Sequence, residues 1–204
     1  MKDLKERHPY DAAIFVGLPG SYKGTVNKAI CGSSRDRNRP IHIEMSRIIR
    51  LKRAEDKKFD ELADSLMARG ILVPDSHIMG ILNDYLSDLS HDRVWSFDGV
   101  PRNQNQAGRL DHFLRKRKYH RQVVFYLQTT EAQARENILQ RAVKEGRKDD
   151  QNPEVVQTRL DTFKSEIVSI IEFYRERKIE VVEISCANGS SAVIEKVKEK
   201  LGLR

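Results

Sequence analysis

The sequence is poor in cysteine and has no long apolar run. Cys31 and Cys186 are its two cysteines, and they stand far apart, which indicates neither a disulfide framework nor a zinc ribbon. No run approaches the ~18 apolar residues that a membrane span requires, and the N-terminal MKDLKERHPY lacks the apolar core of a secretion signal. These absences favour a cytoplasmic protein that makes no membrane contact.

The length and composition favour one globular domain. The chain has 204 residues, of which 39% are apolar and 33% are charged. A chain of this size buries roughly 70% of its unfolded surface, so it can form a core without disulfides or metals. We find no internal repeat and no low-complexity tract.

The charge balance favours an anionic partner without identifying one. Lys and Arg number 37 against 30 Asp and Glu, a formal net charge of +7. Small phosphates, nucleic acid and a solvated basic surface all remain open on charge alone. The densest basic cluster, Arg115–Lys118 with Arg121, directly precedes an apolar strand and is typical of a helix C-terminus. Only the net charge favours nucleic-acid binding, so we do not expect it.

Apolar periodicity predicts alternating strands and helices. Thr130 with Gln133, and Asn152 with Pro153, have the spacing of helix N-termini. We expect Gly189–Ser191 to precede the last helix. Five strands interleaved with helices imply an α/β fold with a parallel sheet covered on both faces and ligands at the C-terminal strand ends. The predicted strands are Ala12–Val16, Ile41–Ile43, Val94–Phe97, Val123–Leu127 and Ile179–Ile184.

The first predicted strand leads into a glycine-rich loop, Gly17–Thr25, which is followed by a helix. Strand, glycine loop, lysine and helix form the arrangement in which backbone N–H groups surround a phosphate and the lysine reaches its terminal oxygens. The strict G-x-x-x-x-G-K-[ST] pattern fails at Tyr22 and Gly24, so an ordinary turn remains open on the motif alone.

Four arginines extend the case for phosphate chemistry. Arg102 follows a predicted strand end, and Arg141, Arg147 and Arg159 flank a polar loop. Arginine gives forked and permanently charged contacts to phosphate. Each arginine alone is more typical of a solvated surface, so the set gains weight only jointly with the glycine loop.

From about Ala12 to Leu201, the sequence resembles the adenylate kinase-like nucleoside monophosphate kinases, of the short-lid type. The family's Gly-x-Pro-Gly-x-Gly-Lys-Gly-Thr loop is similar to Gly17–Thr25, and its Asp-Gly-x-Pro-Arg motif is intact at Asp98–Arg102. Its lid signature is matched by Arg141, Gly146, Arg147, Asp149 and Asp150. The segment Gly70–Pro74 resembles the stretch that lines the monophosphate base pocket.

The resemblance implies a P-loop NTPase-like three-layer sandwich in one domain over residues 1–204. A helical monophosphate-binding insert is expected at about residues 44–75 and a short lid at about 142–152. The implied activity is transfer of the γ-phosphoryl group of ATP to a nucleoside monophosphate, with AMP the expected acceptor. The alternative is a nucleotide-binding protein with weak or no activity. We expect a monomer with ATP and the monophosphate as its partners.

The same resemblance implies the roles of individual residues. Mg²⁺ is expected to arrive with ATP, with no protein metal site beyond Asp98 acting through water. The implied catalytic residues are Lys23, Arg102, Arg141, Arg147 and Arg159. ATP binding is implied for Gly17, Pro19, Gly20, Ser21, Tyr22, Lys23, Gly24, Thr25 and Arg141. Monophosphate binding is implied for Arg50, Leu72, Val73, Gly99, Arg102, Gln106, Arg147 and Arg159.

Three segments depart from the family pattern. Tyr22 replaces the glycine before the lysine, and we expect it at positive φ. Glu44–Arg47 replaces the Ser-Thr-Gly-Asp/Glu segment of the monophosphate site, which adds a basic residue there. The loop Ser33–Pro40 is longer and more basic than the family's usual connection.

Overall fold

The structure is a computed structural model that describes residues 8–32, 36, 38–67, 71, 73–90, 92–146 and 150–203. Five strands and eight helices lie within this part of the chain. The strands are β1 Ala12–Val16, β2 Ile41–Glu44, β3 Trp95–Asp98, β4 Gln122–Gln128 and β5 Glu180–Ser185. The helices are α1 Lys23–Ile30, α2 Met45–Glu55, α3 Lys57–Met67, α4 Asp75–Ser87, α5 Gln104–Lys116, α6 Glu131–Glu145, α7 Pro153–Glu176 and α8 Gly189–Leu201.

The five strands form one parallel sheet in the order β2-β3-β1-β4-β5, which confirms the predicted fold class. In the register of this sheet, Ile14 lies between Phe97 and Val124. Because every strand runs the same way, the loops that follow β1, β2, β3 and β4 reach one edge of the sheet. That edge carries the glycine-rich loop.

Helices cover both faces of the sheet. Alternation along β1 sends Ile14 into a core with residues of α2, α3, α4, α5 and α7, and sends Phe15 into a second core with α1 and α8. A smaller cluster joins α6 to α7 through Ala134, Ile138 and Leu160. α6 is thereby fixed beside the C-terminal edge of the sheet.

Local signals in the sequence account for most helix boundaries. The Thr130 side chain accepts from the N–H of Gln133, and the Asn152 side chain accepts from the N–H groups at the start of α7. The basic cluster at the end of α5 supplies its last turn, as predicted. Gly189 does not precede the last helix but is its first residue.

The region between β2 and β3 is helical. α2 begins directly after β2, and α3 follows at Lys57. Arg53 on α2 forms ion pairs with Asp60 and Asp64 of α3. These two helices lie within residues 44–75, where the sequence predicts the helical insert.

Both cysteines are free, as the sequence predicts. Among the described residues, no helix is long and apolar enough to cross a membrane. In the loop Ser33–Pro40, residues 33–35 and 37 lie outside the described part. At the end of that loop, Arg39 donates to the carbonyl oxygen of Ala29 at 3.1 Å.

Candidate active site

The glycine-rich loop follows β1, and its last three residues, Lys23–Thr25, already form the start of α1. Two of its glycines are sterically required. A Cβ on Gly17 would lie 2.6 Å from the carbonyl oxygen of Leu127, and one on Gly20 would lie 2.4 Å from that of Ala134. Gly20 also has a φ of +84°, which side chains rarely adopt. The loop therefore rests directly on α6, and only glycine permits this approach.

Lys23 is the first residue of α1, and its side chain folds back over the loop. Its Nζ atom donates to the carbonyl oxygens of Gly17 and Leu18, both at 2.7 Å, and to Ser21 Oγ at 3.2 Å. Burial lowers the pKa of Lys23 to about 8, an effect that Asp98 opposes. The Lys23 ammonium group therefore lies at the loop. Phosphate oxygens of an anion bound there would replace the carbonyl oxygens as its hydrogen-bond acceptors.

Tyr22 has a φ of 64° and a ψ of 7°, so the predicted positive φ is confirmed. A non-glycine residue in this left-handed region costs about 1–2 kcal/mol. The Tyr22 hydroxyl lies 3.4 Å from Asn137 Oδ1 on α6, and Asn137 Nδ2 donates to the carbonyl oxygen of Gly20 at 2.8 Å. Asn137 therefore contacts the loop at two residues, Gly20 and Tyr22.

A cavity of about 340 Å³ opens in front of the loop. Its lining combines predicted site residues, two residues of the atypical Glu44–Arg47 segment, and residues that the sequence did not single out. The predicted ones are Pro19, Gly20, Tyr22, Lys23, Gly24, Thr25, Gly99, Arg102, Arg141 and Arg159. Glu44 and Ser46 come from the atypical segment, and the residues not singled out include Lys28, Asn137, Gln140, Lys144 and Phe163. Gly17 and Ser21 lie behind this surface and support the loop.

Arg102 lies on the β3 side of the cavity. Its Nε donates to the carbonyl oxygen of Gly99 at 2.8 Å, and its guanidinium carbon lies 5.6 Å from the ring centre of Phe163. On the same side, Glu44 accepts a hydrogen bond from Ser46. Arg102 therefore presents a charged group to the cavity while its position is set by a backbone carbonyl and an aromatic ring.

Arg141 and Arg159 meet at one buried carboxylate. Arg141 Nε donates to Asp150 Oδ2 at 2.8 Å, and Arg159 Nη1 donates to Asp150 Oδ1 at 2.7 Å. Asp150 is fully buried, whereas the two arginine side chains are 30% and 20% exposed. This pairing brings cations from α6 and α7 to one wall of the cavity.

Four other predicted residues lie away from this wall or outside the described part. Arg50 is 63% exposed, and its Nη2 lies 3.6 Å from Glu44 Oε1. Val73 is buried in the core among α2, α3 and α4. Arg147 and Leu72 fall outside the described residues.

Gln106 is predicted to contact the base of the monophosphate, but its side chain is buried behind the cavity. Its Nε2 donates to Asp75 Oδ1 at 2.7 Å, and its Oε1 accepts from the N–H of Arg102 at 2.9 Å. Asn103 Nδ2 also donates to Asp75. Reading a base with Gln106 would require its bond to Asp75 to break.

Asp98 is a carboxylate beside the loop. It lines the cavity at the end of β3, its Oδ2 lies 3.4 Å from His42 Nε2, and a Cβ on Gly24 would lie 3.4 Å from that oxygen. Carboxylate oxygens suit Mg²⁺ directly or through its waters. Among the residues that the structure describes, no group of three or more His, Cys, Asp or Glu side chains forms a metal site.

Sequence reasoning missed Asn137 as a residue of the site. Its contacts with Gly20 and Tyr22 join positions more than 110 residues apart. A usable signal existed, because Asn137 precedes Arg141 by four residues and so shares its face of α6.

Known proteins that this chain is similar to in sequence include adenylate kinases. Residues 15–179 match the family model described as adenylate kinase. The adenylate kinase of Oenococcus oeni is 34% identical over 91% of this chain and 95% of its own length. The adenylate kinase of a Synechococcus strain is 32% identical over 91% of this chain and 95% of its own length, and that of Azobacteroides pseudotrichonymphae is 30% identical over 91% and 94%. The glycine-rich loop and the converging arginines agree with these matches. The chain belongs to the adenylate kinase family.

Proposed function

We propose that the protein transfers the γ-phosphoryl group of ATP to a nucleoside monophosphate, with AMP as its acceptor, and releases two diphosphates. The observation that carries the proposal is the convergence of Lys23, Arg102, Arg141 and Arg159 on one cavity beside the glycine-rich loop. These side chains come from α1, the β3–α5 loop, α6 and α7. Membership of the adenylate kinase family supports the same reaction.

The reaction needs no protein nucleophile. An oxygen of the acceptor's phosphate forms a bond to the γ-phosphorus while the bond to the β,γ-bridging oxygen of ATP breaks, and ADP leaves with that electron pair. The protein's contribution is positioning and charge neutralisation. Lys23 and the loop N–H groups would hold the donor phosphates. Arg102 would hold the acceptor phosphate, and Arg141 with Arg159 would contact the group in transfer.

Mg²⁺ bound to ATP would supply additional positive charge at the donor phosphates. Asp98 fits a role in orienting its waters, because the carboxylate lines the cavity next to Gly24 and interacts electrostatically with Lys23. Arg147 and the base-pocket residue Leu72 belong to this proposal through the family resemblance alone.

The test is a panel of acceptors with Mg²⁺ and ATP: AMP, dAMP, CMP, UMP and GMP, followed by diphosphate formation. We expect AMP to give the highest kcat/KM. Lys23→Met should lower kcat/KM by about 100- to 1,000-fold. Lys196→Met, on the exposed surface of α8, is the matched control. Nucleotide binding without diphosphate from any acceptor would contradict the proposal and favour a binding protein.

A further inference from the structure

Tyr22 combines an unfavourable backbone conformation with a specific side-chain position. It precedes Lys23 at a φ of 64° and caps α1 without a side-chain hydrogen bond to that helix. A bulky residue held in the left-handed region next to a binding loop points to a role for its side chain. Because the Tyr22 side chain makes no capping hydrogen bond, its role must come from the contacts of its ring.

The ring of Tyr22 is supported on the protein side. It packs against the core formed by β1, β4, α1 and α8. Its hydroxyl lies 3.4 Å from Asn137 Oδ1 and 3.5 Å from Gln133 Nε2, which also lies 3.3 Å from the carbonyl oxygen of Cys186. These long contacts fix the direction of the ring rather than add much stability. The ring therefore spans from the glycine-rich loop towards α6.

The position of Tyr22 relative to the two halves of the cavity indicates which part of a bound nucleotide its ring would contact. Glu44 ends β2 and Arg102 follows β3, and both strands lie on one side of β1, whereas α6 follows β4 on the other side. An acceptor held by Arg102 occupies the first side. A donor whose phosphates lie on the loop must extend its base towards the second side, where Tyr22, Asn137 and Gln140 line the cavity.

We propose that the ring of Tyr22 is a stacking surface for the base of the donor nucleotide, a specificity that rests on the proposed phosphotransfer. Aromatic side chains stack on bases of any sequence through their faces. A glycine at this position offers no such surface. Tyr22 would thus make donor recognition depend on the base as well as on the phosphates.

The test compares ATP with inorganic tripolyphosphate, which carries the phosphates without a base. Equilibrium affinities for both, with Mg²⁺, are measured by calorimetry or by displacement for the parent and for Tyr22→Ala. Alanine keeps the strained backbone but removes the ring. We expect ATP to bind about 5- to 150-fold more weakly and tripolyphosphate to change by less than about threefold. Tyr22→Phe should recover most of the ATP affinity.

Tyr10→Ala is the matched control, because Tyr10 packs against the same core, yet it is absent from the described lining of the cavity. It should leave the ratio of the two affinities unchanged. Equal losses for ATP and tripolyphosphate in Tyr22→Ala, an unchanged ATP affinity, or a gain for ATP would overturn the proposal. The readout is binding, so a parent protein that binds ATP but transfers no phosphoryl group would contradict the proposed function and still decide the role of Tyr22.

Discussion

Arg159 and Asp150 form an ion pair with Nη1 and Oδ1 2.7 Å apart, and the carboxylate of this pair has no solvent exposure. The other oxygen of Asp150 accepts from Arg141. One buried anion thus orients two cations that would otherwise repel each other. The cavity wall that they form depends on this residue.

Replacing Asp150 by asparagine should disturb both arginines at once. We expect kcat to fall by about 10- to 100-fold and the free energy of unfolding to fall by about 1–3 kcal/mol, because the buried site loses its compensating charge. Steady-state kinetics and urea unfolding measure the two effects. Asp161→Asn, an exposed change on α7, is the control. Parent-like kinetics in Asp150→Asn would show that the reaction does not depend on the orientation of the two arginines by Asp150.

Arg102→Ala should impair use of the acceptor more than binding of ATP. A lost charge-assisted contact in the site costs about 2–4 kcal/mol, or roughly 30- to 1,000-fold in kcat/KM for the monophosphate. Acceptor saturation curves at fixed ATP, together with ATP titrations, separate the two effects. Arg109→Ala removes an exposed arginine of α5, the helix that follows Arg102, and should change neither. A loss confined to ATP would assign Arg102 to the donor side.

Lys23 should make ATP binding depend on pH. Burial lowers its pKa to about 8 in the free protein, and bound phosphates would raise it again. Binding therefore takes up a proton above about pH 8, and affinity falls as pH rises, by at most about tenfold per pH unit. Calorimetry at pH 7 and pH 9, in buffers of different ionisation enthalpy, measures the uptake. Lys23→Arg keeps the charge without titrating, so uptake that persists in this variant would point to another group.

The same pKa has a consequence for folding. The usual pKa of lysine is 10.5, so the unfolded chain binds more protons at this position between about pH 8 and pH 10.5 than the folded chain does. The contribution of Lys23 to the free energy of unfolding therefore rises with pH across that window.

Two glycine substitutions should have opposite effects on stability. Gly20→Ala places a Cβ against the Ala134 carbonyl oxygen at a positive φ and should destabilise the loop by more than about 1 kcal/mol. Gly80 lies inside α4, and its Cβ would meet no atom within 4 Å. Gly80→Ala should therefore stabilise by about 1 kcal/mol, or raise Tm by roughly 2–4 °C. Thermal unfolding of both variants tests the pair, and a lower Tm for Gly80→Ala would contradict it.

The sequence predicts most of the fold because its signals are local. The β-branched strands and the caps at Thr130 and Asn152 depend on neighbouring residues, and all of them are confirmed. The helix α2 is harder to predict, because five of its eleven residues are charged. Its short apolar stripe is buried only through packing in the core.

The site is only partly predictable, since its geometry depends on contacts between distant segments. The glycine loop and the arginines Arg102, Arg141 and Arg159 were recognisable from type and spacing. The tie between Asn137 and Gly20, and the burial of Gln106 against Asp75, arise from tertiary packing that no local pattern encodes.

Direct observation of the transferred group tests the proposed phosphoryl transfer. The protein is incubated with Mg²⁺, AMP and ATP that is isotopically labelled in its γ-phosphoryl group, and the label is located among the products. We expect the label to appear in the β-position of ADP formed from AMP, in step with loss of ATP, and we expect Lys23→Met nearly to abolish this transfer. Label found only in inorganic phosphate, or retained in ATP, would contradict it.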